Sequence, residues 1–147
     1  MSAKRLVLIL LGVVLFLLIS GVLARFLSTE NVERDADEAL IQAEASGNPE
    51  RVMSLLPGCR QSSSCTSLAR ANASKLRRPG AVKILTLTSP TAYSLTGAQG
   101  KTRLAWTVIG DLPVVQCVQV KRSGNFLTGI SVNLLAISAP INNEADC

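Results

Sequence analysis

Nineteen consecutive uncharged residues, Leu6–Ala24, constrain this chain more than any other feature. Lys4 and Arg5 precede the run and Arg25 closes it. As a helix it is about 28 Å long, close to the hydrocarbon thickness of a bilayer. It reads as an uncleaved anchor. The alternative is a signal peptide cut after Val22-Leu23-Ala24, although signal peptides carry a shorter apolar region. Residues 1–27 are therefore an anchor or signal segment, and 28–147 form one exported domain. Lys/Arg counting does not orient the span, because Arg25 and Arg34 balance Lys4 and Arg5. The short basic tail and the cysteines give the expected orientation: N-terminus cytoplasmic, C-terminal domain periplasmic or extracellular, in a single-pass protein of the cell envelope.

Four cysteines, Cys59, Cys65, Cys117 and Cys147, are an even number in a chain with an export signal, so disulfides are expected. Of the three connectivities, Cys59–Cys65 with Cys117–Cys147 fits best: a short Ser-rich loop closed by the first, the C-terminus pinned to a strand by the second. No C-x-x-C pair exists to favour zinc.

The remainder of the chain changes period once. Ser28 or Thr29 caps an expected helix whose apolar stripe is Val32, Ala36, Ala39, Leu40 and Ala43. Gly47 ends it, and Asn48-Pro49 starts a second, with Val52, Leu55 and Leu56 buried. A third is expected from about Thr66 to Arg77. After Gly80 the period becomes two, predicting strands at Val82–Thr88, Ala92–Thr96, Thr102–Ile109, Val114–Lys121 and Phe126–Ser138, with a turn at Gly97–Gly100. Short turns make neighbouring strands antiparallel. The fold class is thus α+β: an N-terminal transmembrane helix, then two to three helices packed on a curved antiparallel sheet of about five strands. On Val114–Lys121 the alternation sets Val114, Val118 and Val120 against Cys117, which places Cys117 on the outer face under the C-terminal tail.

Chemistry-bearing constellations are few. The chain has no histidine, which removes the commonest general base and metal ligand. No P-loop or dinucleotide fingerprint occurs. Glu33 and Asp37 share a helix, where solvation and i,i+4 spacing account for them. Asp111, the sole acid between Arg51 and Arg122, suits a turn. Tyr93, Trp106, Asp111 and Arg103 are the candidate pocket or interface residues. Asn72-Ala73-Ser74 is a glycosylation sequon, meaningful only in a eukaryotic secretory pathway. Charge is segregated: −6 over Glu30–Glu50 and +10 over Arg51–Arg122. The plain reading is an acidic helix packed near a basic sheet, each with a solvated outer face. The basic half has too few aromatics for nucleic acid; its sharper readings are anionic lipid, an envelope polymer or an acidic partner.

Ala39-Leu40-Ile41-Gln42-Ala43, Gly47-Asn48-Pro49 and Val52–Leu56, followed by antiparallel strands, resemble the NTF2-like (cystatin-like) superfamily over about residues 30–140. The resemblance implies a helix in the concave face of a curved sheet, leaving a conical pocket, and a membrane-anchored assembly or binding module. Enzymes of that superfamily use pocket His and Asp, which this chain lacks or nearly lacks. A second resemblance is to type IV pilin-like subunits: an apolar helix continuing into an amphipathic one, a sheet, and a C-terminal disulfide. Such subunits carry a Gly-Phe-type processing site and an early Glu, and Leu6–Ala24 has neither. The expectation for function is a non-enzymatic, membrane-anchored binding or assembly module, without cofactor or metal, whose partners are the membrane through Leu6–Ala24 and another envelope protein. The alternatives are an NTF2-like small-ligand pocket and a pilin-like subunit.

Overall fold

One helix dominates the architecture. In the computed structural model, which describes residues 3–90, 96–125, 129–142 and 147, α1 runs without a break over Ala3–Ala45. The helix start expected at Ser28 does not exist. No Pro or Gly stands between Val22 and Ser46 to interrupt the helix, so the membrane-length half and the packed half propagate as one. Lys4–Ala24 is the candidate membrane span, by length and composition, and none of it is buried.

Gly47 ends α1 at a positive φ of 72°, with Gly47 N–H donating to Glu44 O and Asn48 N–H to Ala43 O. This paired arrangement is the Schellman closure, which needs a residue that tolerates the left-handed region. Asn48 then caps α2 (Pro49–Leu55), its side chain accepting from Arg51 N, with Pro at the first helical position as expected. A single 3-10 turn at Cys59–Gln61 leads to α3 (Ser63–Lys75), capped by Ser62. The disulfide Cys59–Cys65 joins that turn to the first residues of α3.

The sheet is a meander of four antiparallel strands in sequence order: β1 Val82–Thr88, β2 Thr96–Val108, β3 Val114–Asn125 and β4 Gly129–Ile137. Among the described residues the sheet has four strands, where about five were expected. The segment 97–100, expected as a turn, belongs to β2 and pairs with β3 through Gly100↔Val120. Its glycines mark a bulge between Thr96 and Ala98, where a Cβ on Gly97 would stand 3.2 Å from the Arg122 carbonyl. Glycine here permits close backbone approach and makes no turn. Most of the strand expected at Ala92–Thr96 lies outside the described residues.

The inner sheet face carries Leu104, Trp106, Val108, Val114, Val118, Val120, Leu134 and Ile137, all buried against Leu40, Ile41 and α2–α3. Cys117 faces outward, as the alternation predicts, and is bonded to Cys147. The chain after β4 stays beside β3, with Ser138 N–H donating to Cys117 O and Ile141 N–H to Val115 O.

Candidate functional site

The sequence-chosen residues do not converge. Trp106 is fully buried on the inner face, and its Nε1–H donates to Gln116 Oε1 at 2.7 Å. Arg103 is half-buried and lies on the outer face, opposite Cys117 in register. Tyr93 lies outside the described residues. Asp111 sits exposed in the β2–β3 turn, 3.8 Å from Arg78 Nε. The sequon fails as an acceptor: Asn72 is 1% exposed and its side chain is engaged inside the domain.

Two buried polar clusters lie instead between α1 and the sheet. Nearer the span, Glu33 Oε1 accepts from Thr102 Oγ1 at 2.7 Å, and Glu33 Oε2 accepts from Arg122 Nε at 2.8 Å. Arg122 Nη2 also reaches that oxygen, completing a two-nitrogen ion pair with both partners buried. Asp37, one turn on, is fully buried, and neither of its oxygens has a hydrogen-bond partner among the described residues. Burial, then the Glu33 charge, push its carboxyl up to about 8, against a lowering pull from Arg122.

At the far end Glu44 is held by amides. Asn72 Nδ2 donates to Oε1 at 2.8 Å and Gln116 Nε2 to Oε2 at 2.9 Å. Both nitrogens also donate to Ser138 O at 3.0 Å. Burial raises Glu44 to about 7, with the two amide donors opposing. Among the described residues no grouping of Cys, Asp and Glu could hold a metal ion.

Glu33 and Asp37, which their helical spacing predicts to be solvated, are instead buried: with Glu44 they share the face of Leu40, at spacings of four, three and four. Val32, placed on the apolar stripe, is 41% exposed. The strand alternation held the missing signal. Thr102 has the parity of Leu104 and Trp106, and Gln116 and Arg122 have that of Val118 and Val120.

At the end opposite the span, the β2–β3 turn is clamped and yet presents apolar side chains. Arg78 Nη1 donates to Leu112 O at 2.6 Å, and its guanidinium carbon stands 5.6 Å from the centre of the Trp106 ring. Arg78 N–H donates to Ala45 O, and Thr107 Oγ1 to Asp111 O at 2.8 Å. Ile109 and Leu112 are nonetheless 92% and 81% exposed. Their level along α1 is that of Ala45, about 31 Å beyond Ala24 at the helical rise.

The class defined by this geometry is an α+β domain built on the C-terminal half of a helix whose N-terminal half has the length and apolarity of a membrane span. No family model, no curated protein and no solved structure matches the chain.

Proposed function

We propose that this is a non-enzymatic assembly module: a single-span protein whose C-terminal domain, in the periplasm or outside the cell, docks another envelope protein. The Arg78-clamped turn carries the reading. A turn fixed by hydrogen bonds, an ion pair and a ring contact has little ordering entropy left to lose on binding. Ile109 and Leu112 give that turn a small apolar surface already fixed in place for a partner. Because α1 is continuous, the domain is a post, and its apolar tip is held away from its own bilayer. The partner therefore reaches this height, whether it stands in the same membrane or comes from beyond it.

A photo-crosslinking residue at Leu112, in the full chain in its native membrane, tests this. A discrete adduct with another envelope protein, lost in Ile109→Asp, is the expected result. A chain that gives no adduct and leaves detergent extracts as a lone monomer overturns it.

One observation favours a second reading. The unbroken helix, exposed over its apolar half and packed on an antiparallel sheet over the other, together with the C-terminal Cys117–Cys147 bridge, is the arrangement expected of a pilin-like subunit. In that case the partner is a second copy, and a crosslinker at Val32 gives a ladder of homo-oligomers. The NTF2-like reading keeps its support from the helix laid across an antiparallel sheet. A ligand pocket built from Trp106 and Arg103 has none, since they lie on opposite sheet faces.

A further inference from the structure

The four strands contain not one Asp or Glu, and their outer face carries Lys83, Lys101 and Lys121, all exposed. None of these lysines makes an ion pair among the described residues. Lys101 and Lys121 are diagonal neighbours: Lys101 pairs with Gln119, and Lys121 pairs with Gln99. Like charges at that separation repel, and among the described residues no acid stands on this face to offset the cost. Arg103 is left out of the patch, because it stands opposite Cys117, where the disulfide brings the C-terminus.

The helix serves as a ruler for the height of this pair. Glu33 contacts both Thr102 and Arg122, the immediate neighbours of Lys101 and Lys121. Glu33 is nine residues past Ala24, which at the helical rise is about 14 Å. The headgroup layer occupies about 5–7 Å of that distance. The remaining gap of about 7–9 Å is comparable to the Debye length of about 8 Å at physiological ionic strength. Lysine's flexible stem shortens it further. Lys83, by contrast, pairs with Thr107 at the far end of the sheet. The side of α1 turned away from the sheet carries exposed Asp35 and Glu38 beside exposed Arg34, so the net charge across the domain near that level is of opposite sign.

From this we infer that Lys101 and Lys121 dock the outer face of the sheet on anionic lipid headgroups of the membrane that anchors the chain, leaning the post toward its sheet side. A tilt near the average of about 20° for membrane-spanning helices is enough to lower that side by several ångströms. The inference rests on the anchor being kept, as in the proposed function, and not on the apolar tip.

The test uses the full chain in nanodiscs of phosphatidylcholine, with or without phosphatidylglycerol at about a third of the lipid. A fluorescent amino acid replaces Gln99, which is exposed beside Lys121, and the acceptor is a headgroup-labelled lipid. Energy transfer should rise in the anionic discs and fall back in high salt. Lys101→Glu with Lys121→Glu should return it to the neutral-disc level, a loss of at least roughly thirty-fold in the docking equilibrium, the value for removing two surface lysines before the repulsion of the new acids is added. Lys83→Glu should leave it unchanged. Equal transfer in both discs, or a Lys83→Glu loss as large as that of the double variant, overturns the inference. Intact mass of the disc-bound chain shows whether the anchor was retained, so a cleaved leader is told apart from a failure of lipid docking. Circular dichroism and both disulfides confirm that the variants fold.

Discussion

Glu33 and Glu44 lie eleven residues apart on one face of α1, both fully buried, yet their partners differ in kind. Glu33 meets a guanidinium and a hydroxyl; Glu44 meets two amides, which also serve Ser138 O and Trp106. A charge-paired carboxylate resists loss of its partner poorly, because an isolated buried charge is the costliest outcome in a protein interior. An amide-held carboxylate loses less, and it can take up a proton. The near end is thus fixed by charge matching, whereas the far end is fixed by a shared network tying α1, α3, β2, β3 and the C-terminal segment together.

Removing the cation should break this contrast most sharply. Arg122→Met leaves Glu33 buried and uncompensated, and should cost about 3–5 kcal/mol. Adding Glu33→Gln should restore much of the loss. Denaturation of the full chain in detergent, followed by the fluorescence of the single Trp106, reads both. A cost for Arg122→Met below about 1 kcal/mol means the near end is not organised around this pair.

The far end should be the one that feels the C-terminal bridge. Cys117–Cys147 closes a separation of 30 residues and Cys59–Cys65 one of 6. Chain-entropy arguments give about 3–4 kcal/mol for the first and about 2 kcal/mol for the second. In Cys117→Ser with Cys147→Ser, amide exchange should quicken at Ser138, whose N–H pairs with Cys117 O, while Arg122 and its neighbours keep their protection. Gln116→Leu attacks the same network directly. It strands Trp106 Nε1–H and one Glu44 oxygen, at about 1–3 kcal/mol. If it is as mild as a surface change, the network is not holding the far end.

Much of this frame was readable from residue types alone. Asn48-Pro49, Gly47 and the change to period two after Gly80 placed α2, the end of α1 and the sheet, because each acts through local backbone chemistry. The outward register of Cys117 and both disulfides followed from alternation and spacing. The features that depart from the sequence expectation depend on tertiary context. Gly97 and Gly100 look like turn residues, but a bulge uses the same glycine. Ser28 and Thr29 are good caps, yet a cap forms only where the helix is interrupted. Glu33, Asp37 and Glu44 look solvated until Thr102, Gln116 and Arg122 arrive from the sheet. The clamped tip was the least visible, since Arg78 meets Asp111 and Leu112 across 33 and 34 positions of chain.

Asp37 belongs to neither scheme, and it sharpens the comparison through pH. Its carboxyl is raised from an ordinary 3.8 to about 8, so the folded chain keeps a proton that the unfolded chain releases. The stability this contributes is fully present below about pH 4 and is lost as pH rises through about 8. Glu44 acts in the same direction between 4.5 and about 7. The domain should therefore gain stability as pH falls from 8 to 5, opposite to the trend set by a carboxylate whose salt bridge lowers its pKa. Asp37→Asn should flatten the upper part of that slope. It should stabilise the domain at pH 8, on the order of 1–2 kcal/mol after relaxation and water penetration are discounted, and change little at pH 5. Glu44→Gln should not mimic it, because an amide turned toward Asn72 and Gln116 sets donor against donor. Stability that climbs with pH over this range, in the parent chain, would mean Asp37 is ionised and partnered in the folded state. The near end would then be a three-group charge cluster rather than an ion pair beside a neutral acid.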